Sequence, residues 1–373
     1  MFDYAGRRQR LDEHLREQEI AALFLPLSSD LEYLTGLERP LPSYGQVSQA
    51  HDWISGGFLR PGRDPVFLLS RMESLFDVAD VPGELVIVNE SDDALAAFAR
   101  VAGGSTPERI AVGDRTRAET VLALQGLDSR EVITATHLVN ELRRVKSPEE
   151  LAVMERACRI AEDAMAAVTP RVQPGVTMLE LLEEVEHQLR EHGARGPSFP
   201  THIFTGIGEA DLDSGGPRAR EPLAEDRPVL FDFGAALDGY CSDFGRTIWC
   251  GEPRAEDREL YDLMLAAQEA GRAAAKPGVL ARDVNAACRA PIEDAGLGAC
   301  FRHRMGHGIG LDVHERPFLS EEDVTPLETG MTFTDEPSLV PREGNGCRIE
   351  DVIVCEDGGA KRLNGYPADL VST

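Results

Sequence analysis

The feature that most constrains the fold is a set of five metal-type side chains spread over the last 142 residues of the chain. In chain order they are Asp232, Asp243, His307, Glu336 and Glu350. Taken singly, each fits an ordinary place in a turn, a loop or the surface. However, each lies in an apolar strand pattern or a glycine-rich loop, where an unpaired charge is costly. Together they form an oxygen-rich ligand set suited to two divalent cations that share carboxylate bridges, so the fold must bring them together.

The two aspartates lie in segments that predict a β-hairpin, VLFDFG (229–234) and GYCSDFGRT (239–247). A two-residue turn at 237–238 would place Asp232 directly opposite Asp243, whereas a turn at Asp238-Gly239 would offset them diagonally by two residues. In both registers the two carboxylates project from the same face, because side chains alternate along a strand. The local sequence leaves both registers open.

The two glutamates repeat this arrangement. Glu336 in TDEPSLV (334–340) and Glu350 in CRIEDVIV (347–354) flank the turn-forming segment PREGNG (341–346), which predicts a second hairpin. His307 lies in GHGIGLDVHE (306–315), whose alternating glycines allow the backbone to approach a crowded site. Paired metal ions in such a site activate a bridging water and polarise a carbonyl, which is the chemistry of amide hydrolysis.

The chain is long enough for two domains, and its patterns change near ELRRVKSPEE (141–150). Residues 1–140 alternate helical patterns with short apolar runs at 20–27, 65–70, 84–89 and 109–114, which predict an α/β domain. Within it, residues 38–58 are rich in turn formers and are predicted to be a loop. Residues 141–373 form the second predicted domain.

In the second domain two pairs of helices are each followed by an acidic hairpin. Capping boxes at Ser147–Glu150 and Thr177–Glu180 predict helices that end near Val168 and Gly193. Two further helices are predicted over 256–275 and 282–295. This order predicts an α+β domain with an internal pseudo-two-fold repeat, each half supplying one pair of carboxylates, and a coincidental α+β order is the alternative.

The charge and the N-terminus exclude some classes of partner. A formal net charge of −27 argues against binding to nucleic acid or to an anionic membrane. The start, MFDYAGRRQR, lacks the apolar core of a signal peptide, and there is no apolar stretch of about 18 residues. We therefore expect a cytoplasmic protein without membrane or nucleic-acid partners.

The motifs DFG, GYCSDFGRT, GHGIGLDVHE and RIEDVIVCEDG resemble those of the pita-bread metallohydrolases, which include aminopeptidase P, prolidase, methionine aminopeptidase and creatinase. The resemblance is greatest to the prolidase and aminopeptidase P branch and covers essentially the whole chain. It implies a creatinase-type N-terminal domain over 1–140 and a pita-bread catalytic domain over 141–373. It also implies two divalent ions per subunit (manganese, cobalt or zinc) and a homodimer in which the loop at 38–58 lies near the other subunit's site.

The resemblance also implies roles for single residues. Asp232 would bind one metal, His307 and Glu336 the other, and Asp243 and Glu350 would bridge them. Glu336 would in addition carry the proton from the bridging water, whose hydroxide is the nucleophile, to the leaving nitrogen. Three further residues match positions near the family's substrate: His314 would steady the substrate carbonyl, and His303 and Arg348 would support the ligands or contact substrate.

Two departures bear on specificity. Pro337 is followed by Ser338, where the family normally has glycine. Proline-specific members carry a histidine about seventeen residues before the first metal aspartate, but residues 206–220 contain none, and His202 lies in a strand pattern instead. We therefore predict a small-peptide hydrolase of the Xaa-Pro dipeptidase or aminopeptidase type with relaxed dependence on proline. The alternatives are a same-fold hydrolase of a small non-peptide C–N substrate, as in creatinase, and an inactive peptide-binding homologue.

Overall fold

The structure, a computed structural model, describes residues 2–40, 49–76, 80–103, 109–127, 131–205, 217–341 and 344–373, without the side chains of residues 217 and 218. The chain divides into two compact units, Met1–Arg143 and Arg144–Thr373. The two units have separate sheets and separate hydrophobic cores.

The first unit is an α/β fold built on one six-stranded sheet. Its helices are α1 (Tyr4–Glu17), α2 (Ser29–Thr35), α3 (Arg71–Phe76), α4 (Ala94–Ala102), α5 (Ala118–Gly126) and α6 (Thr136–Arg143), and its strands are β1 (Ile20–Pro26), β2 (Gly56–Leu59), β3 (Val66–Ser70), β4 (Glu84–Val88), β5 (Arg109–Val112) and β6 (Glu131–Thr134). The strand order is β4-β3-β2-β1-β5-β6, antiparallel on both sides of β2 and parallel elsewhere. The four predicted strands therefore all form.

Part of the predicted loop at 38–58 is regular structure, which corrects that prediction. A 3-10 turn covers Asp52–Ile54, and β2 follows it in the middle of the sheet between β1 and β3. Two glycines open β2 and hide its strand character, because glycine weakens a strand pattern. A Cβ at Gly56 would lie 2.2 Å from the carbonyl oxygen of Leu25, so the close strand contact requires glycine. Residues 41–48 of the predicted loop lie outside the described residues.

The second unit is α+β. Its helices are α7 (Pro148–Val168), α8 (Met178–Glu191), α9 (Ala255–Ala274) and α10 (Ala281–Asp294). Its strands are β7 (Gly196–Pro197), β8 (His202–Thr205), β9 (Arg227–Phe233), β10 (Ala235–Leu237), β11 (Tyr240–Cys241), β12 (Phe244–Cys250), β13 (Gly306–Gly308), β14 (Glu315–Leu319), β15 (Thr332–Asp335), β16 (Ser338–Leu339), β17 (Cys347–Arg348), β18 (Asp351–Val354), β19 (Lys361–Arg362) and β20 (Val371–Ser372).

The predicted helix starts in this unit depend on local capping. Ser147 and Glu150 form the predicted capping box, with the Ser147 amide donating to the Glu150 carboxylate at 2.8 Å. Thr177 and Glu180 form the second, also at 2.8 Å. Within the described parts of the chain, no helix is both long and apolar enough to cross a membrane.

The helix pairs α7–α8 and α9–α10 each precede a set of antiparallel strands, and each half has its own core. The first core joins α7 and α8 to β9 and β12, and the second joins α9 and α10 to β14, β15 and β18. The predicted pseudo-two-fold repeat is confirmed in this element order. The two halves supply the acidic hairpins that build the candidate site.

Candidate metal centre

The aspartate hairpin turns at Asp238-Gly239, where φ is +47° and +83°. Positive φ at both central residues is the type I′ geometry that matches the twist of the flanking strands. The register that follows pairs Asp232 with Gly245, so Asp243 lies two residues away on the diagonal. The diagonal register is therefore the one that forms, and direct pairing of Asp232 with Asp243 is wrong.

The glutamate hairpin has a register that brings its two acids face to face. The pairs in β15–β18 and in β16–β17 share one register, which puts Glu336 directly opposite Glu350. Glu350 also forms an isolated bridge with Gly245 of the first hairpin. Directly opposite residues project from the same face. Asp232, Gly245, Glu350 and Glu336 therefore form one transverse line, here called the acidic row.

Gly245 is the one member of the acidic row without a side chain. A Cβ at this position would lie 3.0 Å from the Cβ and 3.1 Å from the Oε2 of Glu350, and 3.1 Å from the carbonyl oxygen of Phe231. These distances are tighter than ordinary contacts on both sides. Glycine therefore leaves the space that the Glu350 carboxylate occupies.

His307 is held with one ring nitrogen directed at the acids. Its Nδ1 lies 3.1 Å from the carbonyl oxygen of Gly308, which can only accept, so Nδ1 carries the proton. Its Nε2 lies 3.1 Å from Glu336 Oε1 and 3.7 Å from Asp243 Oδ2. The Thr334 hydroxyl accepts from the His307 amide at 3.0 Å and donates to Glu336 at 2.9 Å. This is the orientation that a metal-binding imidazole requires.

The donor set fits divalent cations. Asp243, His307 and Glu350 are buried, and each offers a ligand atom within 4.8 Å of the others. Asp243 Oδ1 and Glu350 Oε1 are buried, and neither has a hydrogen-bond partner among the described residues. Buried carboxylate oxygens without partners are costly, and a hard cation removes that cost.

The acids crowd one another electrostatically. Burial, followed by the charges of neighbouring carboxylates, raises the pKa of Asp243 well above its usual value. Burial likewise raises the pKa of Glu350 well above its usual value against the opposing charge of Arg348, and it raises the pKa of Asp232. When these acids are ionised together they repel one another, and a bound cation relieves that repulsion.

Glu336 behaves differently. Burial alone would raise its pKa, but the hydrogen bond to His307 and the charges of Arg348 and His307 outweigh burial and hold the pKa below its usual value. The two neighbouring groups therefore keep Glu336 ionised. An ionised carboxylate in this position can bind a cation and accept a proton.

Arg348 is buried among the acids. Its Nη2 lies 2.8 Å from Glu350, 2.9 Å from Glu336 and 3.1 Å from Asp232. One guanidinium thus touches three of the four predicted carboxylate ligands. This placement supports a role in holding the ligands, which was one of the two roles open to Arg348.

A hydrogen-bond chain connects Arg348 to His303 through Ser338. The His303 Nδ1 donates to the carbonyl oxygen of Arg304 at 2.7 Å, so its Nε2 accepts from the Ser338 hydroxyl. The Ser338 oxygen in turn accepts from Arg348 Nη1 at 3.3 Å. Burial lowers the pKa of His303, which keeps this tautomer neutral. His303 therefore lies behind Arg348, and Ser338 completes a chain that glycine could not make.

His314 lies beside His307, with 4.1 Å between the ring centroids. Partial burial, with the charges of His307 and Arg304, lowers the pKa of His314 to about 4. The imidazole is therefore neutral near pH 7 and keeps one N–H to donate. The next residue, Glu315, anchors this turn through an ion pair of 3.1 Å with the buried Lys146.

Three further residues lie at the site. Two of them, Thr334 and Gly245, could have been identified from the sequence by their spacing of two residues from a predicted ligand. Thr334 lies two residues before Glu336, the spacing of one strand face. Gly245 lies two residues after Asp243. His202 begins β8 as a strand residue and pairs directly with Asp232. Most of the segment that lacks the family histidine, residues 206–216, lies outside the described residues.

Comparison with known proteins gives two family matches. The family model for metallopeptidase family M24 matches residues 152–357, and that for the creatinase/prolidase N-terminal domain matches residues 7–145. These ranges cover both units of the fold.

Individual proteins agree with these matches. The chain is 30% identical to YkvY of Bacillus subtilis (strain 168), over 98% of this chain and 99% of that protein. It is 36% identical to an Xaa-Pro dipeptidase of Pyrococcus furiosus, over 63% of this chain and 67% of that protein. The crystal structure of a prolidase from Thermococcus sibiricus aligns over all of both chains, with a TM-score of 0.89 and 25% identity.

Proposed function

This chain belongs to metallopeptidase family M24, with a creatinase-type N-terminal domain and a pita-bread catalytic domain, and from that membership we propose that it hydrolyses the first peptide bond of short peptides. The observation that carries the proposal is the buried cluster of Asp243, His307 and Glu350, whose ligand atoms lie within 4.8 Å of one another. The relatives named as Xaa-Pro dipeptidases and prolidases support the substrate class.

We propose that the site holds two divalent ions, manganese, cobalt or zinc. Asp232 would bind one and His307 and Glu336 the other, with Asp243 and Glu350 between them. Such ions lower the pKa of water and polarise a carbonyl oxygen. Arg348 holds three of the carboxylates in place, so these side chains need to move less when metal ions bind.

Two side chains would act on the substrate directly. Glu336, which the charge of Arg348 helps to keep ionised, accepts a proton and delivers it to the leaving nitrogen. His314, neutral near pH 7, donates its N–H to the carbonyl oxygen as negative charge develops there. Both roles follow from the protonation states that the surroundings favour.

The proposed specificity is broader than that of a strict Xaa-Pro enzyme. The histidine of proline-specific members has no counterpart in residues 206–220. Without it, less of the recognition depends on the proline ring. We therefore expect Xaa-Ala and Xaa-Leu peptides to be cleaved as well as Xaa-Pro peptides.

The test is a panel of matched peptides, Leu-Pro, Leu-Ala, Leu-Leu and Leu-Pro-Ala, assayed with added Mn²⁺, Co²⁺ or Zn²⁺ and after chelation. Metal-dependent release of leucine supports the proposed activity. Cleavage of Leu-Pro with no turnover of Leu-Ala or Leu-Leu contradicts the broadened specificity alone. Creatine is assayed beside the peptides as a non-peptide substrate, and its cleavage with no cleavage of any peptide contradicts the peptidase assignment.

A further inference from the structure

A buried serine lies directly opposite the arginine of the site. Ser338 and Arg348 pair across β16 and β17, so their side chains project from the same face. Both residues are buried, with 6% and 9% of their surfaces exposed. A buried hydroxyl is costly unless it is hydrogen-bonded, and Ser338 stands where the family normally has glycine. Its hydroxyl is therefore a polar group that this chain adds to the site.

The Ser338 hydroxyl joins two groups and gives their hydrogen bonds one direction. Nδ1 of His303 donates to the carbonyl oxygen of Arg304 at 2.7 Å, because a carbonyl can only accept. Nε2 of His303 is then an acceptor, and the Ser338 hydroxyl donates to it. The Ser338 oxygen accepts from Arg348 Nη1 at 3.3 Å. Each group thus donates to the next, and hydrogen bonds aligned in this way strengthen one another.

The bond from Arg348 to Ser338 fixes the plane of the guanidinium. The backbone of Arg348 is held separately, since its amide donates to the Thr247 hydroxyl at 2.8 Å and its carbonyl oxygen accepts from the same hydroxyl at 2.9 Å. Among the described residues, Nη1 of Arg348 bonds only to Ser338. Without that bond the guanidinium would be held on the side of the acids alone, and its orientation would be less well defined.

The guanidinium in turn orients three of the predicted ligands. Its Nη2 lies 3.1 Å from Asp232 Oδ2, 2.9 Å from Glu336 Oε2 and 2.8 Å from Glu350 Oε2. One oxygen of each acid is thus held by Arg348, which directs the other oxygen away from it. Glu350 Oε1 is buried and has no hydrogen-bond partner in the described part of the chain. A buried oxygen of this kind is suited to bind a cation.

The hydrogen bonds of His303 leave neither of its ring nitrogens free. The residue lines a cavity of about 470 Å³, so a small molecule could contact its ring. Both nitrogens are nevertheless engaged within the protein, Nδ1 by the Arg304 carbonyl and Nε2 by Ser338. Of the two roles open to His303, support of the ligands is the one that its hydrogen bonds favour.

We propose that Ser338 is a positioning residue, whose hydroxyl locks the Arg348 guanidinium against the predicted metal ligands and commits His303 to the same task instead of to substrate binding. The hydroxyl acts through Arg348 and does not touch the reacting atoms. The expected effect on turnover rests on the proposed peptidase function, whereas the expected effects on the metal-free protein and on metal affinity do not.

The first test uses nuclear magnetic resonance on the metal-free protein and needs no activity. The nitrogen-15 resonances of a histidine ring report which nitrogen carries the proton and whether the other accepts a hydrogen bond. His303→Gln identifies the signals of His303 by their loss. We expect a protonated Nδ1 in the wild type, and we expect Ser338→Ala to shift the Nε2 resonance toward that of an unbonded nitrogen. An Nε2 resonance that is the same in both proteins would contradict the proposal.

The second test measures metal affinity by calorimetry. Ser338→Ala and His303→Leu should each weaken Mn²⁺ binding by about 10- to 100-fold, the range for losing a group that orients a metal ligand. The double variant should bind no more weakly than the weaker single variant, because both changes break the same chain. His303→Gln keeps an acceptor for Ser338 and should stay nearer to the wild type.

Ser70→Ala is the matched control for the loss of a buried hydroxyl. Ser70 is 1% exposed and donates to Glu73 at 2.9 Å in the first unit, away from the predicted ligands in the chain. We expect Ser70→Ala to bind Mn²⁺ as the wild type does. A loss as large as that of Ser338→Ala would show that metal affinity responds to any buried hydroxyl, and the proposal would be wrong.

The third test separates positioning from substrate binding. With metal at saturating concentration, Ser338→Ala and His303→Leu should lower kcat for Leu-Pro by about tenfold and leave KM within about twofold of the wild-type value. A raised KM with unchanged kcat and metal affinity in His303→Leu would show that His303 contacts substrate, which would overturn the proposal. Additive losses in the double variant would overturn it as well, because the two residues would then act separately.

The positioning role and the peptidase function can fail separately. If no peptide is cleaved but metal affinity and the His303 resonance depend on Ser338, the positioning role stands and the peptidase function fails. If peptides are cleaved and Ser338→Ala matches the wild type in metal affinity and kcat, only the positioning role fails.

Discussion

At the scale of single residues, the four acids of the site differ in their neighbours. Asp243 and Glu350 share a 4.8 Å cluster with His307, whereas Asp232 lies at the end of the acidic row against Arg348. Loss of a central acid should therefore affect more of the site than loss of Asp232.

We predict that Asp243→Ala lowers metal occupancy at both positions and that Asp232→Ala mainly empties one. Metal content per subunit, measured by mass spectrometry, checks this. Asp238→Asn in the same hairpin is the control, since its side chain is exposed and asparagine tolerates positive φ. Two ions retained in Asp243→Ala would rule out the bridging role.

His314 offers a second test at this scale. It lies beside the predicted ligand His307 and is neutral near pH 7, so we expect His314→Ala to keep both ions and lose about 2–4 kcal/mol of transition-state stabilisation, the range for one oxyanion donor. Turnover and metal content are measured on the same preparation. Normal turnover, or loss of metal, would contradict the role.

The raised pKa values of Asp243 and Glu350 predict how the metal-stripped protein depends on pH. Above about pH 4, where these acids ionise in the unfolded chain, the folded protein holds more protons than the unfolded one. The free energy of unfolding must then fall as pH rises toward the folded-state pKa. Glu336, with its lowered pKa, adds no slope above about pH 5.

We therefore predict that chelator-treated protein loses stability as the pH rises through the window above about pH 5, and that divalent metal restores it most at the higher pH. Chemical denaturation at each pH measures the effect. Asp243→Asn, which removes one raised acid, should flatten the slope. If the free energy of unfolding of the metal-free protein stayed level or rose across this window, the pKa values of these acids would not be raised in the folded state.

At the scale of elements, the site depends on two hairpins that meet at one glycine. Gly245 pairs with Asp232 on one side and with Glu350 on the other. The contact requires a residue without a side chain, since a Cβ would lie 3.0 Å from Glu350. Displacing either hairpin would therefore move acids from both halves of the repeat.

We predict that Gly245→Ala weakens metal binding at least tenfold, about 1.4 kcal/mol, while the circular dichroism spectrum stays unchanged. Gly358→Ala is the matched control, because a Cβ added at Gly358 would meet no described atom within 4 Å and its φ is not positive. Metal affinity is measured by calorimetry. An affinity equal to that of the wild type would show that Glu350 can shift without cost.

At the scale of the whole molecule, we predict a homodimer. The outer strand β4 of the six-stranded sheet exposes Leu85 and Ile87 by 37% and 45%, and an apolar sheet edge favours association. Light scattering should give about twice the chain mass of 40.7 kDa. A monomer would refute this prediction.

The segment at 38–58 carries the related prediction that it serves the other subunit's site. A deletion confined to 42–48 leaves the 3-10 turn at Asp52–Ile54 and β2 intact. We expect it to raise KM for Leu-Pro without changing metal content. An unchanged KM would show that the segment does not contribute to the site.

Local chemistry determined a large part of this protein. Ser147 and Thr177 mark their helix starts because each cap bonds to a residue three positions away. The five predicted ligands could be singled out from the sequence, since each lies in an apolar strand pattern or a glycine-rich loop, where an unpaired charge is costly. The local sequence allowed two hairpin registers. The turn at Asp238-Gly239 was one of them, because aspartate and glycine can adopt its positive φ values.

Only the tertiary structure decided what depends on residues far apart in the chain. The bridge between Gly245 and Glu350 joins residues that no local pattern relates. The chain from Arg348 through Ser338 to His303 arises because three separate segments pack together. The same holds for Arg304, whose Nε has no partner among the described residues, because whether a charged side chain finds a partner depends on every element that packs around it.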